Sequence, residues 1–375
     1  MQAAVFLRTL RLATGLVLMA FVTSHLANLS IGLVSLSAME DWLGTLMAPW
    51  QTPIGRFLLA GSALAHAALG LYAMALRRTL AMKKTDWVQL VLGVLTPPLL
   101  LNHVLVTAIA PKLAADYEPG YGQLLSVYWS IAPAYAFQQL CVVLVVWVHA
   151  ALGLYSWLVL KPVWRRIGGV VLPVLFLVPI VALMGFAEAG KEVVEKLAGD
   201  AAWRDLILQN QSRLDGARAQ LAALNAILVR VYGGAVLLAL AVFAGRILRN
   251  RLTRVSVDYD AGLSAGGRRG LSILELSRLN NVPHADVCSG RGRCGTCRVH
   301  VTSGEASLSP RTPIEERTLG RVHAVPGDRL ACQARVLGTG VRVVRALPAY
   351  ADASAARQPD DWAEDAPTPP AGASS

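Results

Sequence analysis

Six stretches of the chain stay apolar for roughly the 20 residues that a helix needs to cross a bilayer. They fall at about 12–36, 54–76, 88–110, 134–160, 167–187 and 225–248. Arg8 and Arg11 precede the first one. Its apolar run exceeds the core of a secretion signal and contains a histidine, so the pattern predicts a retained helix. Pro97, Pro98, Pro173 and Pro179 lie inside the third and fifth stretches; packed membrane helices tolerate such kinks because neighbours satisfy the freed backbone groups. After residue 250 the long apolar runs stop. Arg254-Val255-Ser256-Val257-Asp258-Tyr259 alternates and predicts a strand. Ser272 before Ile273-Leu274-Glu275-Leu276 predicts a helix opened by a capping box. Further strands are expected near 297–302 and 341–347, and the Ala/Pro/Ser/Asp-rich sequence from 350 predicts a disordered tail. The expected fold is thus an all-α bundle of six transmembrane helices (1–250), a small α+β domain (251–349) and a tail (350–375).

Composition agrees. Of 375 residues, 16% are charged and 54% hydrophobic, whereas soluble domains carry about a quarter charged residues. A soluble globular enzyme, a disordered protein and a disulfide-stapled secreted domain are therefore poor fits. The net charge of +11 raises the question of nucleic acid, but the positions of the charges answer it. Arg8 and Arg11, then Arg77, Arg78, Lys83 and Lys84, then Lys161, Arg165 and Arg166, then Arg246, Arg249, Arg251 and Arg254 all fall on one side of the expected spans. On the other side, 37–53 holds no Lys or Arg, 111–133 holds only Lys112, and 188–224 mixes both signs. The alternation places the N-terminus and everything after residue 250 in the cytoplasm, with no need for a nucleic-acid partner.

Four of the five cysteines lie in the expected cytoplasmic domain: Cys288, Cys294 and Cys297 in C-x5-C-x2-C spacing, and Cys332 after 34 intervening residues. A reducing compartment disfavours disulfides and points to metal. A leading Cys, a C-x2-C pair and a distant fourth is the ferredoxin arrangement for [2Fe–2S], with tetrahedral zinc as the alternative. Gly290, Gly292 and Gly295 suit a loop that turns backbone N–H groups toward sulfur. His284, His300 and His323 read as surface histidines, and Cys141 as a buried small hydrophobe.

The remaining histidines fall one per helix in the first four expected spans: His25, His66, His103 and His149. Ionisable residues inside a membrane are costly and usually functional. The heptapeptide His66-Ala67-Ala68-Leu69-Gly70-Leu71-Tyr72 recurs unchanged as His149-Ala150-Ala151-Leu152-Gly153-Leu154-Tyr155, setting a glycine one turn from each imidazole, as a planar macrocycle requires. Depth counted from the cytoplasmic charges pairs His25 with His103 and His66 with His149. Two b-type haems with bis-histidine ligation are the expectation, which suits electron transfer rather than oxygen binding. A histidine proton relay is the rival reading. Arg56, Arg77 and Arg78 are candidate propionate partners, and Tyr72, Tyr155 and Trp157 candidate borders of a quinone pocket.

The segment CSGRGRCGTCRVHV followed by RLACQARV resembles a β-grasp [2Fe–2S] ferredoxin domain over about 253–347, closer in spacing to the adrenodoxin type than to the plant type. One histidine on each of four successive helices resembles the dihaem cytochrome b subunit of fumarate reductases and succinate dehydrogenases. It resembles still more the six-helix anchor of certain bacterial class III adenylate cyclases. Cyclase activity does not carry over, since nothing after residue 350 resembles a cyclase domain. The resemblance implies a multi-pass protein of the bacterial inner membrane. Its expected role is electron transfer between the quinone pool, or an outer donor, and the [2Fe–2S] cluster through two haems. The alternative is a redox- or quinone-sensing module that acts on a cyclase or another cytoplasmic partner. No catalytic residue stands out. Between 251 and 347 fifteen arginines face eight acids, which points to an acidic partner or anionic lipid.

Overall fold

The computed structural model describes residues 2–114, 116–249 and 253–356. The expected domain boundary at 250 and the tail beyond 356 lie outside the described residues. The N-terminal region is helical: α1 (Gln2–Ser30), α2 (Leu36–Gln51), α3 (Pro53–Ala75), α4 (Lys84–Val104), α5 (Ala110–Leu113), α6 (Tyr121–Ser126), α7 (Ala134–Leu158), α8 (Trp164–Gly199), α9 (Ala201–Ser212) and α10 (Arg218–Arg249). Among the described residues six helical segments are long and apolar enough to cross a membrane: Val5–Leu33, Pro53–Ala75, Lys84–Leu113, Ala134–Leu158, Trp164–Gly199 and Ala201–Arg249. Their outer faces carry exposed Phe57, Leu64, Phe176 and Leu237, an apolar exterior that a soluble bundle would bury.

Two connections predicted as loops are helical. The first, 37–53, is taken up by α2 as far as Gln51: Ser35 caps this helix by accepting from the Ala38 N–H at 3.0 Å, and Glu192 accepts from the Leu36 N–H at 2.6 Å. Asn28, fully buried, ties α2 to α1 by donating to the Met39 carbonyl at 2.9 Å. The second is the continuation of α8 twelve residues past 187, through Glu188, Lys191, Glu192 and Lys196. Reading only for apolar length stops where a helix turns polar, although i,i+3 and i,i+4 charge pairs continue it. The prolines at 97, 98, 173 and 179 do lie within α4 and α8.

The C-terminal region is a small mixed-sheet domain built from β1 (Arg254–Tyr259), β2 (Ser264–Arg268), α11 (Ile273–Leu279), β3 (Arg298–Ser303), α12 (Pro313–Arg321), β4 (Asp328–Leu330) and β5 (Val341–Arg345). The strand order is β2-β1-β5-β3-β4, with β1 and β5 parallel and the other pairs antiparallel. β1 alternates as its sequence requires, burying Val255, Val257 and Tyr259 against Ile273 and Leu276 of α11. The capping box is present: Ser272 Oγ accepts from the Glu275 N–H at 3.2 Å and Glu275 Oε2 from the Ser272 N–H at 2.8 Å. β2, β4 and α12 escaped the pattern. β2 is glycine-rich and β4 has three residues, while α12 did leave a signal in Thr312-Pro313-x-Glu315, a cap followed by proline at the first helical position. Where a disordered tail was expected, Ala353–Ala356 form a helical turn, α13, and Ala356 is buried.

Candidate metal and cofactor sites

The four cysteines of the C-terminal domain converge. Cys288, Cys294 and Cys297 are buried, Cys332 is partly exposed, and none forms a disulfide. They meet as two thiol pairs, Cys288 with Cys294 and Cys297 with Cys332. The Cys294 thiol, then the backbone N–H groups of Arg293, Cys294 and Arg291, pull the Cys288 thiol down to about 5 against the effect of burial. Its partner Cys294 is pushed up by Cys288 and by burial, and Cys297 by Cys332 and burial. A loop whose N–H groups converge on sulfur is built for a thiolate-held anion. Gly292 and Gly295 have φ of 69° and 72°. A Cβ at Gly292 would come within 2.8 Å of Ile314, and one at Gly295 within 2.7 Å of Val322; the turn conformation and the space both demand glycine. Among the described residues no group of three or more His, Cys, Asp or Glu converges on one ion position. Two pairs fit a two-iron cluster, with two thiolates per iron, better than tetrahedral zinc.

The four histidines of the helical region also form two pairs. The His25 and His103 ring centres are 6.0 Å apart and those of His66 and His149 6.1 Å apart. A metal bound through one nitrogen of each ring, with bonds of about 2 Å, sets ring centres about 6 Å apart. His66 Nδ1 lies 3.1 Å from the Arg11 carbonyl, and His149 Nδ1 3.1 Å from the Gln89 carbonyl. A proton on Nδ1 donated to a carbonyl leaves Nε2 free as a ligand, the usual outer support of a metal-bound histidine. Gly15 and Gly93 make this contact possible. Each stands four residues after the accepting carbonyl, and a Cβ there would lie 3.0 Å from His66 Cε1 or 2.8 Å from His149 Cε1. In the other pair, His25 stacks on Phe21 with ring centres 5.8 Å apart, and His103 Nδ1 is buried with no hydrogen-bond partner among the described residues. A π-helical segment, Leu105–Ile109, begins two residues after His103. The ring spacing in both pairs fits a metal held between two imidazoles. On α1 His25 lies eleven residues beyond Thr14, which touches His66; at 1.5 Å per residue the two pairs are about 16 Å apart along the bundle.

The cysteine loop sits on the helix ends nearest the His66–His149 pair. Arg8 donates to the Arg291 carbonyl at 3.0 Å, and the Arg291 guanidinium lies 3.6 Å from Asp86. Arg8 and Asp86 each stand three residues before the carbonyls that hold His66 and His149. Lys83 bonds Asp286 through its carboxylate at 2.8 Å and its carbonyl at 3.0 Å, and Arg278 pairs with the same carboxylate. Leu160 and Ala356 pack against Cys288 and Cys294.

Several expected roles change. His284 is half-buried rather than a free surface histidine: it bonds Ser277 Oγ at 3.1 Å, lies edge-on to Tyr259, and burial lowers its pKa to about 4. His300 is half-exposed beside Asp328, and His323 is exposed. Cys141 is half-buried rather than buried. Arg78 is committed to the domain seam, donating to the Gly270 carbonyl at 3.0 Å. Arg56 is exposed at the far end of α3. Tyr72 and Tyr155 are 51% and 40% exposed, and Tyr155 lies edge-on to Trp164, so the structure builds no enclosed pocket from them with Trp157. Glu315 and Arg329, a buried ion pair under the cysteine loop, were missed, since nothing in Pro313-Ile314-Glu315 or Asp328-Arg329-Leu330 announces burial.

Comparison with known proteins bears on the cysteine-bearing domain. Residues 264–337 match the family described as the 2Fe-2S iron-sulfur cluster binding domain. Chlorosome protein I of Chlorobaculum tepidum is 33% identical over 85 residues, covering 23% of this chain and 35% of that protein. A chloroplastic photosynthetic NDH subunit of subcomplex B of Arabidopsis thaliana is 41% identical over 66 residues, covering 17% and 31%. The chain thus spans about a third of the length of these two relatives. The 2Fe-2S ferredoxin-5 of Aquifex aeolicus is 32% identical over 74 residues, covering 20% of this chain and 77% of the ferredoxin. The crystal structure of an ISC-like [2Fe-2S] ferredoxin from Pseudomonas putida is 26% identical, covers 26% of this chain and 94% of its own, and has a TM-score of 0.23. Through its C-terminal domain the chain belongs to the 2Fe-2S ferredoxin family.

Proposed function

We propose that this protein is a membrane-embedded electron-transfer protein that couples the quinone pool, or another donor on the far side, to its own ferredoxin domain. In this reading His25 and His103 hold one b-type haem, His66 and His149 hold a second, and Cys288, Cys294, Cys297 and Cys332 hold the [2Fe–2S] cluster. Bound haem and cluster supply one-electron chemistry. The chain's own residues fix positions and exclude water. The Arg11 and Gln89 carbonyls orient the inner imidazoles, the loop N–H groups stabilise thiolate charge, and Leu160 with Ala356 shields Cys288 and Cys294. The observation that carries the proposal is the seating of the cysteine loop on the ends of α1 and α4, the helices whose Arg11 and Gln89 carbonyls hold His66 and His149. A protein that handed electrons only to diffusing partners would leave this loop open to solvent.

Optical and EPR spectroscopy of the purified, dithionite-reduced full chain tests the reading. Two b-type haems per chain and a [2Fe–2S] signal are expected. A cluster signal without any haem would overturn the membrane half of the proposal, and haem without a cluster would overturn the other half.

A further inference from the structure

At the seam between the two domains the structure gathers five guanidinium groups without a matching carboxylate. Arg78 follows α3, Arg246 lies in the last turns of α10, Arg268 closes β2 with Arg269 next to it, and Arg335 stands beside them. Four of these, Arg78, Arg246, Arg268 and Arg269, line one cleft with Gly270 and Leu271. Among the described residues none of the five pairs with an acid. Glu275, the acid whose field reaches Arg78, is already engaged at the Ser272 N–H.

Backbone carbonyls satisfy only part of this donor set. Gly270 O accepts from Arg78 at 3.0 Å and Arg335 at 3.1 Å, while Arg268 donates to Arg78 O at 2.8 Å and Ile247 O at 3.0 Å. Each guanidinium has five N–H donors, so among the described residues most have no partner within the protein. Among the described residues Arg246 Nε is buried and has no hydrogen-bond partner. Like charges held this close repel, and a buried donor left unpaired is costly. An anion with several acceptor oxygens answers both problems, and guanidinium forks match phosphate geometry.

The size of the cleft narrows the ligand. Its cavity volume of about 20 Å³ admits one or two oxygen-sized atoms. A phosphate entering oxygens-first fits, whereas a buried sugar or base does not. Exposed Leu76, Leu80 and Leu248 lie near the same helix ends, an apolar approach that ordinary arginine anchors share. The partly enclosed cleft and the buried Arg246 Nε are what set this site apart from them.

We propose that the Arg78–Arg246–Arg268–Arg269 cleft binds a phosphate group, supplied by an anionic phospholipid headgroup or by free phosphate, and that the bound phosphate bridges the helical and ferredoxin domains. The lipid source rests on the membrane reading above; the cleft does not.

The full chain is extracted, delipidated and examined by native mass spectrometry with phosphatidylglycerol and with phosphatidylcholine of the same acyl chains. Binding of inorganic phosphate is followed by calorimetry as a second arm. Arg246→Gln and Arg269→Gln spare the two arginines that tie the domains through carbonyls. Preferential retention of phosphatidylglycerol, weakened about tenfold or more in either variant as one charge-assisted hydrogen bond is lost, assigns the lipid. Saturable phosphate binding lost in the variants, with equal lipid retention, assigns free phosphate. Neither signal in the wild type, or variants that bind as the wild type does, overturns the proposal. The visible absorbance of the [2Fe–2S] domain reports folding. If a glutamine variant loses it, Arg246→Lys, which keeps the charge and shortens the donor set, is read by the same criteria. Fractionation of cells before extraction tests the membrane reading separately. A soluble chain would remove the lipid arm and leave the phosphate arm decisive.

Discussion

Glu315 stands in the first turn of α12 at 0% exposure, with both carboxylate oxygens on Arg329, itself 3% exposed. Oε1 accepts from Arg329 Nε at 2.8 Å and from the Leu330 N–H at 2.9 Å, and Oε2 accepts from Arg329 Nη2 at 3.1 Å. Arg329 also donates to the Ser309 carbonyl at 2.9 Å. α12 in turn supports the cysteine loop, because Thr318 Oγ1 donates to the Gly292 carbonyl at 2.6 Å. Replacing Glu315 with Gln leaves the Arg329 charge buried and turns an amide N–H₂ against guanidinium donors. Breaking a buried pair from one side costs about 3–5 kcal/mol. Against a typical domain stability of about 5–15 kcal/mol this is a large share, and for a domain of this size it lowers Tm by roughly 15–30 °C. The assay is thermal unfolding of the full chain followed by near-UV circular dichroism and by visible absorbance of the cluster; both transitions should move together. Glu315→Leu with Arg329→Met removes both charges and should recover most of the loss. A Glu315→Gln change worth less than about 1 kcal/mol, or a double variant no better than the single one, would refute the argument.

Three further outcomes are expected. His66→Ala and His149→Ala should each remove the same haem and leave the other, with His25→Ala and His103→Ala removing the second; if His66→Ala and His25→Ala abolish the same spectral component, the pairing is wrong. Gly93→Leu drives a side chain into the position 2.8 Å from His149 Cε1 and should mimic His149→Ala in haem content, which pyridine haemochrome analysis measures; full haem content in that variant would contradict the ring placement. Arg345 holds the Asp260 carboxylate below its usual pKa through two bonds of 2.9 Å. A lowered folded-state pKa means that the stabilisation is complete above the ordinary carboxylate range and is lost as pH falls through the folded value. Asp260 is about a third exposed, so Asp260→Asn should cost no more than about 1 kcal/mol at neutral pH; denaturant titrations should show the difference from wild type vanish in acid.

Strictly local signals carried much of this protein. Apolar length alone located the six long helices, because a long apolar run placed away from water must satisfy its backbone hydrogen bonds internally. The β1 alternation, the Ser272–Glu275 capping box and the C-x5-C-x2-C spacing are each complete within a few residues, and so were legible before any fold was known. The four histidines were conspicuous for the same reason: an ionisable residue inside an apolar run stands out without any neighbour in view.

Only the tertiary structure decided what these residues face. That Gly15 and Gly93, rather than the Gly70 and Gly153 of the repeat, let the inner imidazoles reach a neighbouring carbonyl depends on how α1 packs on α3 and α4 on α7. The burial of Glu315 and Arg329, the commitment of Arg78 to the seam and the gathering of unpaired arginines beside it join residues up to about 190 positions apart. Sequence fixes a local conformation through bonds made within a turn or two. A charge acquires its partner, its desolvation and therefore its role only when distant segments meet.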